Sequence, residues 1–456
     1  MTDASGRSAA AAGRLLRRTV RHRTVAPLTP PAPPGPRGRP LVGNTYDYER
    51  DRIGFLREMH ARYGDCFRFS DSVVALADPD LIHVLFSRTN HEYRIEQPLF
   101  ASEDDARAFA AGVERWMQSR RHGSRGMHRS VVDRHGDRLL SATADLLAPR
   151  AGRPADLLGS FKRLAGLSVA EYCVGEGATA HRIADAVALR AELATPFMTS
   201  SLTFAKWSPT RGVRRTLDAT AALETAIRDA IAEARRERPS RDWSLLDGLL
   251  DIDPPLTDDQ LTRFLQVTLL ASHGSPGAAM VWMLRELAIN TELAEALHEE
   301  AACHDDLVTA YRERKLVRTD AAVREILRLY PPTWLMGRVV HDDVELGRWT
   351  VRRGQTVMFS PYLVHRDPRR WERPDNFLAD RWLSGPPPPR HAYFPFGAGP
   401  RICVGAALGT LQLVLVTALV ARDHLVSSPN HASIPMLPAA LLVPAGLQLT
   451  IAPRRG

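Results

Sequence analysis

Cysteine is scarce: the 456 residues hold four, Cys66, Cys173, Cys303 and Cys403. None stands in a CxxC pair, so neither a zinc site nor a disulfide framework is indicated. The low count suits a reducing cytoplasm. Lysine is scarcer still. Of 60 basic residues only Lys162, Lys206 and Lys315 are lysine. With plentiful alanine and proline, that usage points to a GC-rich bacterial coding bias. No apolar run approaches the roughly 18 residues of a membrane span. No internal repeat is present, which excludes solenoids and propellers. No GxGxxG follows a strand-like stretch, so no nicotinamide or flavin domain is indicated. No stripe interleaves aromatic with basic residues, so a net charge of +8 and a pI near 9.6 do not argue for nucleic acid. They suit an acidic protein partner.

What is present is a chain able to bury a large core, 44% hydrophobic. Residues 1–45 read as a basic, proline-rich tail. Its "GRLLRRTVRHRTV" has the look of a transit peptide as well as of a solvated arm, and the bacterial composition favours the arm. Residues 46–456 read as one domain, mostly α with small β-sheets. A helix is expected near 51–63, then a hairpin in "CFRFSDSVVALAD". The pattern is mostly helical to about 330, and "VELGRWTVRRGQTVMFSPY" alternates as strands. Residues 365–395 form a long proline-rich irregular segment, a length usually kept for function. An apolar helix, "GAALGTLQLVLVTALVARD", and a final strand region close the chain.

One short stretch stands apart. In "FGAGPRICVG", 396–405, Cys403 lies on a loop of glycines before the apolar helix. A thiol there serves as packing, as nucleophile or as ligand to a soft or redox metal. As a haem ligand the sulfur needs close backbone approach, provided by Gly397, Gly399 and Gly405. Its charge needs the N–H groups at the start of the next helix, and Arg401 is placed to meet a propionate.

Phe396, Gly399, Arg401, Cys403 and Gly405 resemble the cytochrome P450 cysteine loop, F-x-x-G-x-R-x-C-x-G, at every specified position. Further resemblances follow in chain order over roughly 30–455. "WMQSR" is similar to the family's W-x-x-x-R, giving Trp116 and Arg120 as haem contacts. "EILR" is similar to E-x-x-R, giving Glu325 and Arg328, with Arg381 of "WERPDNFLADRW" as the third member of a structural ionic cluster. Arg338 of "YPPTWLMGR" matches the family's second propionate arginine, and His365 and Arg366 fit the pattern after it. The resemblance implies the P450 fold, haem b ligated by Cys403, and a small-molecule substrate. It implies a pocket built from "EQPLFASEDDARAF", residues 271–278 and Thr333–Met336, with Trp334 and Leu335 facing the substrate. Ferredoxin and ferredoxin reductase are the partners implied if electrons are needed.

The oxygen-activating helix departs from the family. Aligning Ala271 and Trp282 puts Gly274 at the acid position of A-G-x-(D/E)-T-T, Ser275 at the first threonine and Pro276 at the second. Gly274 relays no proton. Ser275 keeps a hydroxyl, and His273 is a second candidate relay. Two glycines and a proline should widen or kink the helix. The pattern resembles variant P450s that rearrange peroxides, such as prostacyclin synthase. The expected function is therefore opening of a preactivated O–O or N–O bond, by oxo- or nitrene-type chemistry, followed by rearrangement or cyclisation in natural-product metabolism. The alternatives are a ferredoxin-dependent monooxygenase with a modified proton relay and a non-catalytic haem-thiolate sensor.

Overall fold

The computed structural model describes residues 32–39, 43–94, 113, 117–148, 152–198, 210–237, 244–430 and 434–454. It is mostly helical with small sheets, as expected. The largest sheet has five strands in the order β1 (Cys66–Ser70), β2 (Val73–Leu76), β7 (Thr356–Phe359), β4 (Met336–Val340), β3 (Tyr93–Arg94). The expected hairpin is β1–β2, with Phe67 opposite Ala75, and β2 then runs parallel to β7. Strands β5 (Val344–Leu346) and β6 (Trp349–Val351) form a second hairpin. Near the C-terminus β8 (His424–Ser427) pairs with β11 (Thr450–Pro453), and β9 (Met436–Pro438) with β10 (Leu442–Pro444).

Helix starts follow local chemistry. Asp78 accepts from the Asp80 and Leu81 N–H groups and Pro79 opens the helix Pro79–Ser87. Thr257 and Gln260 make a reciprocal box that opens Asp258–Ser272. The helix Ala406–Asp423 is apolar on all sides because it is central, with Leu411, Leu415, Ala418 and Val420 fully enclosed. Its length and mean hydropathy of 1.4 would allow a membrane crossing, contrary to the expectation that no stretch approaches a span, but 67% of it is buried inside the protein. Its one long polar core residue, Gln412, donates to Ser168 Oγ at 2.9 Å. Ser168 in turn meets His135 Nε2 at 3.0 Å. Helices Leu158–Val174 and Ser275–Ile289 pack with it into the main core, while a second core lies between the five-stranded sheet and the segment leading to Cys403.

Candidate active site

The cysteine loop is held by its own backbone and by two neighbours. Cys403 N–H donates to Phe396 O at 2.9 Å and Ile402 N–H to Gly399 O at 3.1 Å. Gly397 and Gly399 have φ of +70° and +67°. Glycine at 399 meets a need within the protein itself. A β-carbon there would stand 2.4 Å from the Phe86 carbonyl oxygen, so this glycine lets the loop close against the end of helix Pro79–Ser87. Gly405 caps the helix Ala406–Asp423, and its backbone N–H hydrogen-bonds the Cys403 sulfur. Burial pushes the Cys403 thiol up, while that N–H and Arg120 pull it down. The residue is nonetheless exposed at the protein surface. A metal cation at the sulfur would remove its proton outright.

Three arginines converge beside the loop. Arg120 Nε donates to Pro400 O at 3.2 Å. Arg401 Nε donates to Asn90 Oδ1 at 2.9 Å. Arg338, buried on β4, lies over the rings of Phe86 and Phe359. Burial and repulsion from Arg120 and Arg338 bring the Arg401 guanidinium down to about 10. Neither Arg120 nor Arg401 forms a salt bridge with a carboxylate among the described residues. A cysteine presented by a backbone amide beside mutually repelling guanidiniums fits a cofactor with a metal centre and anionic arms. Haem b meets that description: Cys403 would ligate the iron and the arginines would hold the propionates. Trp116, the fourth expected contact, lies outside the described residues, as does the segment 96–109.

Behind the loop, Glu325 and Arg328 are fully buried and doubly hydrogen-bonded, at 2.7 and 2.9 Å. Arg381 Nε reaches Glu325 at 3.1 Å, as the sequence pattern suggested. The pattern did not include Trp382, whose indole N–H donates to Glu325 at 2.8 Å, or the Leu378 amide at 3.0 Å. Arg328 also donates to the carbonyls of His365, Pro374 and Asn376. This cluster ties the irregular 365–395 segment to the core. His365 then accepts the Phe394 N–H at 3.0 Å, two residues before the cysteine loop begins.

A sequence model of the cytochrome P450 family matches residues 33–451. The chain belongs to the cytochrome P450 family. It is accordingly a haem-thiolate enzyme whose cofactor is haem b. Cytochrome P450 132 of Mycobacterium tuberculosis is 32% identical over 220 residues, 46% of each chain. The chain thus spans about half the length of that relative. Cytochrome P450 76M5 of Oryza sativa is 26% identical over 432 residues, 86% of this chain and 85% of that one. Cyclooctatin synthase of Streptomyces melanosporofaciens is 33% identical over 173 residues, 36% of this chain and 37% of its own.

The helical stretch that holds residues 271–278 is broken in this P450. Asp258–Ser272 ends at His273, Gly274 takes a left-handed φ of +90°, and Ser275–Ile289 begins anew. The expected kink is thus a full interruption. Its cause is Gly274, while Pro276 sits in the first turn of the second helix, where a missing N–H costs nothing. The Ser275 hydroxyl turns back to Ala271 O at 3.4 Å. His273 takes another direction. A methyl group at Gly166 would lie 3.2 Å from His273 Nδ1, so the ring rests on helix Leu158–Val174. Burial and the Lys162 charge hold its pKa below the ordinary histidine value.

One further placement differs from expectation. Trp334 is a core residue, 3% exposed, with its indole N–H donating to Ala439 O at 2.8 Å. Leu335, half-buried, packs on the cluster that holds Phe55, Phe67 and Tyr362. Leu441, between β9 and β10, instead approaches the break. Its Cδ1 would be 3.1 Å from a β-carbon at Gly274. No local pattern marks Leu441, because only the returning hairpin brings it there. The helix over 117–126 joins the two sides of the site. Arg120 touches the cysteine loop, and a β-carbon at Gly123 would collide with the Phe264 ring at 2.1 Å.

Proposed function

We propose that this P450 acts on a small molecule that already carries a weak O–O or N–O bond, and that it rearranges or cyclises the product of opening it. The observation that carries this reading is the broken helix. At the position where a carboxylate would deliver protons to dioxygen, the chain has left-handed Gly274 and no side chain. A substrate with its own weak bond requires no two-proton delivery to dioxygen, and at most one proton on the departing oxygen.

Haem b with a thiolate ligand supplies a redox-active iron that opens such bonds. The chain does the rest. Gly405 and the loop backbone hold the Cys403 sulfur, while Arg120, Arg338 and Arg401 fix the cofactor's orientation through its propionates. Ser275, Ala271 and Leu441 shape the wall at the break. The likeness to a bacterial relative named cyclooctatin synthase supports a role in natural-product metabolism, and the cysteine content supports a cytoplasmic setting.

A second reading, ferredoxin-dependent monooxygenation, is favoured by the hydroxyl kept at Ser275 and by Ile402, 49% exposed beside Cys403. Cysteine-side exposure in an arginine-rich protein suits an acidic electron donor. The deciding experiment incubates purified protein anaerobically, without reductant, with a panel of organic hydroperoxides and O-acyl hydroxamates. Rearranged product under those conditions supports the first reading. Product formed only with oxygen, ferredoxin and reductase overturns it in favour of the second.

A further inference from the structure

Lysine is nearly absent from this protein, yet one of the three sits against the helix break. Lys315 is a surface residue paired with Glu313 at 2.6 Å. Lys162 is different. Its Cδ and Cε would lie 3.4 and 3.5 Å from a β-carbon on Gly274, and its backbone nitrogen 2.5 Å from one on Gly277. The stem therefore runs along the gap between the two helices. No salt bridge holds its amine among the described residues. Asp156 and His273 are the charged or titratable groups that act on it or on its neighbour. Burial lowers the Lys162 ammonium from its ordinary value, with Asp156 opposing.

Arginine stays charged at any working pH, whereas a half-buried lysine can release and regain a proton. In a chain that uses arginine almost everywhere, a lysine at this position retains that capacity. The break also changes what lies between the back of the helix and its front. The His273 ring rests on helix Leu158–Val174, which carries Lys162, whereas the Ser275 hydroxyl turns back to the Ala271 carbonyl. Gly274, without a side chain, is all that separates them in sequence. The hydrogen-bond ladder is cut there, with His273 N–H to Leu269 O before it and Ala278 N–H to Gly274 O after it.

We propose that Lys162 and His273 form a proton inlet that serves the reaction site through the gap at Gly274. As the O–O or N–O bond breaks, the departing oxygen takes the bonding electron pair and one proton; the haem, when bound, would supply the two electrons that the retained oxygen or nitrogen lacks, and the rearranging substrate or an added donor would return them. His273 passes that proton by accepting at one ring nitrogen and releasing from the other. Lys162 resupplies it and is itself reprotonated from solvent. The inference rests on the reading of this helix as the wall of the reaction site, and it applies to either oxygen chemistry.

The test uses the haem-loaded full chain with hydrogen peroxide as oxidant and guaiacol as electron donor. Lys162→Met and Lys162→Arg are each expected to lower the initial rate about a hundredfold at neutral pH, the lower end of the range for loss of a general acid, and to flatten its pH profile. Gly166→Ala, which crowds the His273 ring without touching Lys162, is expected to do the same, and Lys315→Met to do nothing. A second readout needs no turnover. In ¹⁵N-histidine NMR of the full chain, the His273 titration midpoint should rise in Lys162→Met, because a neighbouring positive charge is gone. A full rate and unaltered profile in Lys162→Arg would reduce Lys162 to a fixed charge and overturn the proposal, as would an unmoved His273 midpoint. If the unaltered protein oxidises no guaiacol and its reduced CO complex lacks the thiolate-type band, the haem-thiolate site itself is wrong. If it does both and the variants match it, only the inlet fails.

Discussion

Gly399 lies so close to Phe86 that a side chain on it would strike the Phe86 carbonyl, 2.4 Å from the β-carbon position. This contact fixes how far the cysteine loop can stand from the sheet-side core. Phe86 also packs edge-on against Phe394 and under Arg338, so one residue touches the loop, its lead-in and the arginine triad. Gly399→Ala therefore combines a collision with a positive φ of +67°. A loss of about 2 kcal/mol or more is expected. Urea unfolding and the fraction of protein showing the thiolate-type CO band measure it.

Glu325 is the acceptor for four residues, Arg328, Arg381, Trp382 and Leu378. Glu325→Gln leaves Arg328 buried without its counter-charge, at an expected cost of roughly 3–5 kcal/mol. Trp382→Phe removes one charge-assisted bond and is expected to cost about 1–3 kcal/mol. Thermal unfolding of the two variants should rank them in that order, and equal effects would contradict the cluster's assigned role.

Haem retention should depend on the arginine triad unequally. Arg401→Leu removes a cation that Arg120 and Arg338 already repel, so the apoprotein should be little changed or slightly stabilised. Haem transfer to an acceptor apoprotein such as apomyoglobin should become at least several-fold faster. Slower or unchanged transfer would show that Arg401 does not meet the cofactor.

Acid should loosen the protein through two buried histidines. Burial brings His365 down to about 3 and His135 down to about 4, from an ordinary value of 6.5. Between those values the unfolded chain takes up protons that the native one refuses. Their stabilising share is complete above pH 6.5 and is lost progressively as the pH falls toward 4 and then 3. Urea midpoints between pH 7.5 and 4.5 should fall with decreasing pH. His135→Gln, which lacks the titrating ring, should give a shallower fall.

Much of the fold was legible because it rests on short-range chemistry. The helix expected near 51–63 is Arg52–Tyr63, the hairpin after it is β1–β2, and the irregular 365–395 segment stays irregular because its prolines and polar turns permit little else. Trp334 departs from expectation for the opposite reason. Its neighbours are strands and helices far away in sequence, and burial is decided by what packs over a residue rather than by its own type.

The sequence by itself determined the reaction centre's ingredients: a cysteine among glycines, an arginine two residues before it, an acid replaced by Gly274. These are local, because loop geometry and side-chain chemistry are fixed within a few residues. Only the tertiary structure decided what each ingredient faces. It put Gly399 on Phe86, added Trp382 to Glu325, turned His273 onto Gly166 and brought Lys162 and Leu441 to the break. Those contacts span tens to hundreds of residues, and chain folding rather than sequence spacing sets which side chains meet.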